Sequence, residues 1–536
     1  MLAESLLNDS WERVSKNSHQ DFIPLPAHYE IYRRHLADNL KSISSRIQDG
    51  YSFSAPIRID VPKHRLTLRP GTQMDINDQV VYESCVAQLY LQAAPSLVRE
   101  QVSDVVFSHS TEEGKRTGKL LGSWKRQYLR WREHCRERYE SGHRYLVTSD
   151  IAGYHENISH RILFNQLEGH RSEGQSLELL RKGLRRWQDG SDSGVPQGPD
   201  ASNLLGEIYL DDVDKFMVRK GYAYTRWVDD FRIFARDHAE AKIALRDLVR
   251  QLRRLTLVVQ SGKTRIWEEE MVLPVLDPIE HQKAILQDQI EENIIEKILQ
   301  EVAYLPFYDP FAKDARDYLR IEYAEKFEAG ILERLFDIGK SEGSETHLRY
   351  LKFALGELMR SRNPYGTAHV EEVLITHPHV TDRLVAYIQA VDSCGSTETT
   401  LLRYLTSRHN VYDWAEMWLM YYFAHQWRRQ SEEVREVLRS TIEDRNRHVA
   451  TRYYAIIAWA NHADSSDLRT LQARYDSESD GLIREAIILS LRRLPRAERN
   501  AFYSACAGEN IHLDQAAQFV RQCSEEGIDQ LFGRAV

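Results

Sequence analysis

The segment YTRWVDDFRIF, Tyr224–Phe234, sets Asp229 and Asp230 side by side among aromatic and β-branched residues. Such a run favours a strand, and adjacent carboxylates repel, so the pair asks for a cation. Hard divalent ions take oxygen ligands, and two-ion phosphoryl transfer calls for a further carboxylate from another strand. Asp150, at the end of the apolar run in YLVTSDIAGYHENI, supplies one. Between them, GVPQGPDASNLLGEIYL (Gly194–Leu210) reads as a loop leading into a helix whose first turn carries Ser202 and Asn203. That arrangement offers backbone N–H groups and an amide to a nucleotide. Lys263, in SGKTRIW, is a cation near where a phosphate would depart. Each of these has a plain reading when taken alone. Asp150 would cap a helix, Lys263 would be a surface lysine, and the nearby Asp211-Asp212 would solvate a helix.

These side chains need strands to aim them. RYLVTSDI and TRWVDDFRIFAR read as strands, DHAEAKIALRDLVRQLRRL as a helix, and LTLVVQ followed by SGKTRIW as a hairpin with a Ser-Gly turn. In Lys115–Arg138, nine basic residues stand against two acids, with Trp124, Tyr128 and Trp131 at helical spacing. The aromatics suit a core face; the cations suit either solvent or a phosphate-tracking groove. From about Lys283 the periodicity is helical throughout. Arg452–Trp459 and Arg484–Leu491 repeat one pattern 32 residues apart, each after an acidic turn, which suits stacked HEAT-like helix pairs. The expected fold class is α+β. The expected divisions are a helical lead-in (1–50), a mixed domain (51–275) and an all-α domain (280–536).

Ordered as D-I-x-x-Y, G-x-P-Q-G-x-x-x-S-x-L, R-[YW]-x-D-D-F and G-K-T, the blocks resemble those of reverse transcriptases. Upstream, VPKHRLTLRPGTQMDINDQVVYESCVAQL is similar to the fingers segment of bacterial members. The resemblance covers about residues 50–270 and implies a fingers–palm polymerase. It implies two Mg²⁺ ions, with Mn²⁺ as substitute, held by Asp150, Asp229 and the carbonyl of Ile151, with Asp230 in support. Lys63 and Arg69 would grip the incoming triphosphate, Gln197 and Gly198 would line the nucleotide floor, and Lys263 would protonate pyrophosphate. His155 stands where the family usually has Phe or Tyr screening the sugar 2′ position, and Tyr154 precedes it. Either ring would favour deoxynucleotides. The family's usual Tyr-Ala-Asp-Asp is here Trp227-Val228-Asp229-Asp230.

A helical region directly behind the palm resembles the abortive-infection (AbiK-like) reverse transcriptases of bacteria. That implies anti-phage DNA synthesis from dNTPs without a template, primed by a protein tyrosine, in a trimer or hexamer. The product would be single-stranded DNA attached to the protein. Tyr29 and Tyr32, in PAHYEIYRRHL, are the priming candidates, and Tyr51 is the poorer one. Two alternatives stay open: a template-copying enzyme using a partner non-coding RNA, and a helical-repeat interaction protein with a vestigial palm. An RNA-dependent RNA polymerase is disfavoured by the ring at the gate.

Bulk composition agrees with a soluble enzyme. The net charge of −9 hides a division: residues 1–270 carry 40 Lys and Arg against 38 Asp and Glu, and residues 271–536 carry 31 against 42. A polyanion partner would prefer the first half. Five scattered cysteines, with no paired motif, argue for a reducing compartment and against a structural zinc site of the Cys-x-x-Cys kind. With no secretory start and no long apolar run, a cytoplasmic location is expected.

Overall fold

A computed structural model describes residues 2, 4–18, 21–109, 121–170, 174–287, 289, 324–341, 343–392, 395–426, 430–523, 528–529 and 531–532. The strands are β1 (Ile57–Pro62), β2 (Leu68–Gln73), β3 (Tyr145–Ser149), β4 (Ala223–Trp227), β5 (Asp230–Ala235) and β6 (Arg265–Trp267). By contacts the described chain divides into two units, the first comprising 1–25, 32–58 and 71–276 and the second 26–31, 59–70 and 277–536. The main cut follows Leu276, and part of the β1–β2 hairpin and residues 26–31 count with the helical unit.

In the first unit, β-branched and aromatic residues build a four-stranded antiparallel sheet in the order β4-β5-β3-β6. Side chains alternate between its faces. Leu146 and Phe234 join Trp131, Cys135, Val272 and Leu276 in one apolar cluster on the face covered by the helices Trp124–Glu140 and Glu269–Leu276. The opposite face packs on the helices His238–Arg254 and Asp200–Arg219. A sheet covered on both faces fixes its register firmly, because a one-residue slip would exchange the two sets. The helix Ile76–Ala93 is buried nearly all round and is flanked by Glu4–Asn17, Gln175–Trp187 and Asp200–Arg219. Of the expected basic helix, residues 115–120 lie outside the described residues; in the remainder Trp131 is fully buried and Trp124 is exposed.

From Ala324 onward the described elements of the second unit are all helical. Glu345–Arg360, Thr381–Val391, Asp413–Ala424, Val449–Ala460, Gly481–Ser490 and Ile511–Gln522 pack in series, each on the next. The intervening helices Val370–Thr376, Glu398–Thr406 and Glu432–Glu443 form a second row. Both copies of the sequence repeat fall on buried members of the first row. Their arginines reach the following pair, Arg452 to Glu478 at 2.7 Å and Arg484 to Glu509 at 2.8 Å. Among the described residues no helix is long and apolar enough to cross a membrane.

Candidate active site

β4 and β5 are joined by a two-residue turn, Val228-Asp229, closed by the pair Trp227 and Asp230. Val228 sits in the left-handed region at φ 55°. A β-branched residue there is a genuine outlier and stores strain of about 1–2 kcal/mol. The turn is held from both sides: Val228 N–H donates to Ser108 Oγ (3.0 Å), and the Arg226 guanidinium donates to Val228 O (2.9 Å). Asp229 thus occupies the tip, while Asp230 opens β5 on the face it shares with Arg232 and Phe234. Arg232 lies over the Trp131 ring at 4.0 Å and is raised in pKa against its burial by the nearby Asp230.

Asp150 follows β3, one strand over. Its side chain accepts from Ile151 N–H at 2.9 Å. The backbone beyond it continues to pair: Gln260 N–H donates to Asp150 O (2.7 Å) and Ala152 N–H to Val258 O (2.9 Å). This bridging pattern leaves the amide groups of Ile151 facing away from the 258–260 segment, on the side of the Asp150 carboxylate. Burial, then the Asp150 carboxylate, push the Asp229 carboxyl up to about 8. Asp150 and Asp229 are therefore neighbours brought together by the β3–β5 pairing.

The hairpin expected between Leu255–Gln260 and Ser261–Trp267 is not formed. Both segments lie along the same edge, Val259 opposite Ile151 and β6 opposite β3, with residues 261–263 bulged out between them. A bulge re-aims a side chain, and this one carries Lys263 to Asp150, Nζ to Oδ2 at 2.8 Å. The cation expected near a departing phosphate thus rests on Asp150.

The loop and helix from Gly194 differ in detail from expectation. Ser202 is buried, its hydroxyl donating to Pro196 O and bonded to Tyr82 OH. The first-turn amide of Ala201 donates to the buried Glu83 carboxylate at 2.9 Å. Both groups lock the loop rather than facing a ligand. Asn203 instead meets His155 (Oδ1 to Nε2, 3.3 Å), and Gln197 donates to Glu156 at 3.2 Å on the exposed side. Gly198 holds φ 119°, open only to glycine in practice. Tyr154 is only 4% exposed, and its hydroxyl donates to Gly206 O at 2.7 Å. Tyr154 is thus a core residue, while the His155 ring beside it stays partly exposed.

Lys63 and Arg69 fall in the second unit, around the tight turn His64–Leu66 that joins β1 to β2. His64 there lies 6.0 Å, ring to ring, from His379. The priming candidates are covered: Tyr29 is 7% exposed and Tyr32 3%, with the Tyr32 hydroxyl donating to Asn77 at 2.9 Å. Tyr51, as expected of a structural tyrosine, is buried and donates to Asp78 at 2.9 Å.

Behind the hairpin lies a network that sequence reasoning missed. Arg226 is 1% exposed and grips Asp214 through two nitrogens (2.8 and 2.7 Å) and Glu207 at 2.6 Å. Ser108 ties Glu207 (2.6 Å) to the Val228 amide. Burial alone would raise the Glu207 carboxyl, but Arg226, His109 and Arg99 outweigh it and hold it well below the carboxylate range. The signal was present: Glu207 and Asp214 lie seven apart, on one face of the helix, and Arg226 belongs to the hairpin block. Asp211, read as solvated, is also buried; it accepts from Val98 N–H (2.7 Å) and pairs with Lys215 (2.6 Å). Asp212 is exposed.

Residues 61–305 match the family model for reverse transcriptase (RNA-dependent DNA polymerase). Two curated relatives, the group II intron-encoded protein LtrA of Lactococcus lactis subsp. cremoris and its counterpart in strain MG1363, are each 25% identical over 200 residues. The match covers 35% of this chain, and the chain spans 30% of the length of those relatives. Among solved structures, a telomerase from Candida albicans in complex with a telomeric RNA fragment aligns at TM-score 0.31 and 11% identity, covering 71% of this chain and 68% of that one. With the carboxylates placed as above and the family model spanning every block, the chain carries a reverse transcriptase domain.

Proposed function

We propose that the chain is a nucleotidyltransferase of the reverse-transcriptase type that extends a 3′ hydroxyl with deoxynucleotides. The observation that carries this is the meeting of Asp150, Asp229 and Lys263 at the end of β3 and the tip of the β4–β5 turn. Two carboxylates so close that one is held protonated near neutrality, with Lys263 already drawn onto Asp150, make a seat for cations. The donor set fits Mg²⁺, carboxylate oxygens with a backbone carbonyl beside them, and two such ions when bound would activate the attacking hydroxyl and offset triphosphate charge. Asp150 and Asp229 hold the seat, and Ile151 lends its carbonyl. Asp230, turned toward Arg232, stiffens the strand below it. Lys263 neutralises Asp150, and with cations held on the carboxylates its charge would be available to phosphate. His155, backed by Asn203, crowds the sugar 2′ position. Gln197 and Gly198 floor the base, and Lys63 and Arg69 serve the triphosphate.

With Mg²⁺ and labelled dNTPs, the wild-type chain should form product. Asp150→Asn and Asp229→Asn should lower incorporation by at least ~100-fold, the scale on which lost transition-state electrostatics register. Incorporation undiminished in either variant would overturn the assignment.

The finer reading is an abortive-infection polymerase, template-independent, protein-primed and assembled as a homo-oligomer. It is supported by the helical array behind the polymerase unit, which we take as HEAT-like. The burial of Tyr29 and Tyr32 favours a second reading, copying of a partner RNA. Product that stays on denatured protein without added RNA selects self-priming; product that appears only with RNA selects copying.

A further inference from the structure

Away from the carboxylate pair, three side chains of the second unit converge from three separate helices. His28 comes from Pro26–Arg34, Glu485 from Gly481–Ser490 and His512 from the first turn of Ile511–Gln522. His28 Nδ1 lies 2.6 Å from Glu485 Oε2, and His512 Nε2 bonds to that same oxygen. The two imidazole rings are 4.0 Å apart, centre to centre. One donor atom from each of the three residues falls within 4.8 Å of both others. The Glu485 side chain is wholly buried, whereas His28 and His512 keep 19% and 25% of theirs in solvent. Tyr453, itself buried, donates to the other Glu485 oxygen at 3.2 Å.

We propose that His28, Glu485 and His512 form a binding site for one transition-metal ion of the Zn²⁺ class. Two imidazole nitrogens and one carboxylate oxygen are the ligand set such ions prefer, and hard ions such as Mg²⁺ do not seek imidazole. Three protein ligands leave one coordination position, and the partly exposed histidines give both that position and a path of entry. Convergence on one oxygen is the telling feature. A network built only of hydrogen bonds would gain by spreading the histidines over both oxygens, yet the second oxygen is given to Tyr453. That is the outer-sphere arrangement that orients a ligating carboxylate. The ion would fasten residue 28 to residues 485 and 512, a closure spanning most of the chain, where a clip constrains the unfolded chain most. None of this was legible beforehand, because no short spacing links the three residues.

The full chain, stripped with chelator, should be titrated with Zn²⁺ alone and, separately, with Co²⁺ while its visible absorption is followed. We expect one ion bound per chain with the d–d bands of a nitrogen-ligated ion, and a rise in Tm on loading. Asp150→Asn with Asp229→Asn should leave this binding in place. His512→Ala and His28→Gln should weaken it by more than the ~10–100-fold that loss of an outer partner costs, and Tyr453→Phe by about that amount. Circular dichroism identifies any variant that has not folded, and the two histidine variants, on different helices, stand in for each other. No stoichiometric binding, or binding that survives both histidine changes and vanishes with the aspartates, would overturn the proposal.

Discussion

At Asp229 the same carboxyl that makes a cation seat also costs stability when no cation is there. Its folded-state value of about 8 lies above the usual carboxylate value, so the folded chain holds a proton that the unfolded chain releases. Stability from this group is present at low pH and is lost as pH rises through about 8. Asp229→Asn, neutral at every pH, should therefore raise the Tm of the chelator-treated protein at pH 8 by a few degrees, the shift expected for about 1 kcal/mol. At pH 5, close to the unfolded carboxylate value, the shift should be smaller, because little of the proton-linked loss has yet accrued. Thermal melts at the two values check this, and an equal shift at both would mean the repulsion is not the cause. Saturating Mg²⁺ should reverse the sign, because wild type then gains a ligand that Asn lacks. At this scale the sequence showed which acids matter, since their neighbours in the chain mark them. It did not show that Lys263 turns back onto Asp150, because the bulge responsible is set by pairing with a strand more than a hundred residues earlier.

The β4–β5 hairpin is an element that needs support, since its turn strains Val228 and its tip concentrates charge. Support comes from Arg226, which neutralises Glu207 and Asp214 and donates to the Val228 carbonyl. Arg226→Met keeps the volume and removes the charge, leaving two buried carboxylates facing each other. Breaking a buried ion cluster by removing one partner costs ~3–5 kcal/mol. Urea denaturation should show a loss of that order, and nucleotide incorporation should fall with it as the turn relaxes. A variant as stable as wild type would show that water or a neighbouring group compensates. Ser108→Ala, which loses one hydrogen bond to Val228 and one to Glu207, should cost less, about 1–3 kcal/mol. Strands and helices of this unit were legible because each carries its own period. Pairing between distant segments was not, which is why Leu255–Trp267 reads as a hairpin and folds as an interrupted edge. Ser202 and Tyr154 read as facing a nucleotide and fold inward for a related reason: a hydroxyl near a glycine loop looks identical whether it faces a ligand or the core.

Over the whole molecule, the two units are not successive beads. Residues 26–31 and 59–70 lie within the first half of the sequence but belong to the second unit, where His28 meets Glu485 and His512 and where His64 lies near His379. The segment carrying Lys63 and Arg69 is thus packed by helices that follow it by hundreds of residues. A chain ending at Leu276 keeps the sheet, the carboxylates and the Arg226 cluster, yet strips both segments of their packing partners. Each apolar side chain so exposed forfeits about 1.5–3 kcal/mol, against a total stability on the order of 5–15 kcal/mol. The truncated chain should therefore be recovered in poor yield or aggregated, and should melt well below the full chain. Co-expression of residues 277–536 as a separate chain should restore folding, because the lost contacts are non-covalent. Size-exclusion profiles and melts of the truncated chain, alone and co-expressed, check this. A truncated chain that is monodisperse and as stable as the intact protein would show that the two inserted segments fold without the helices they are counted with.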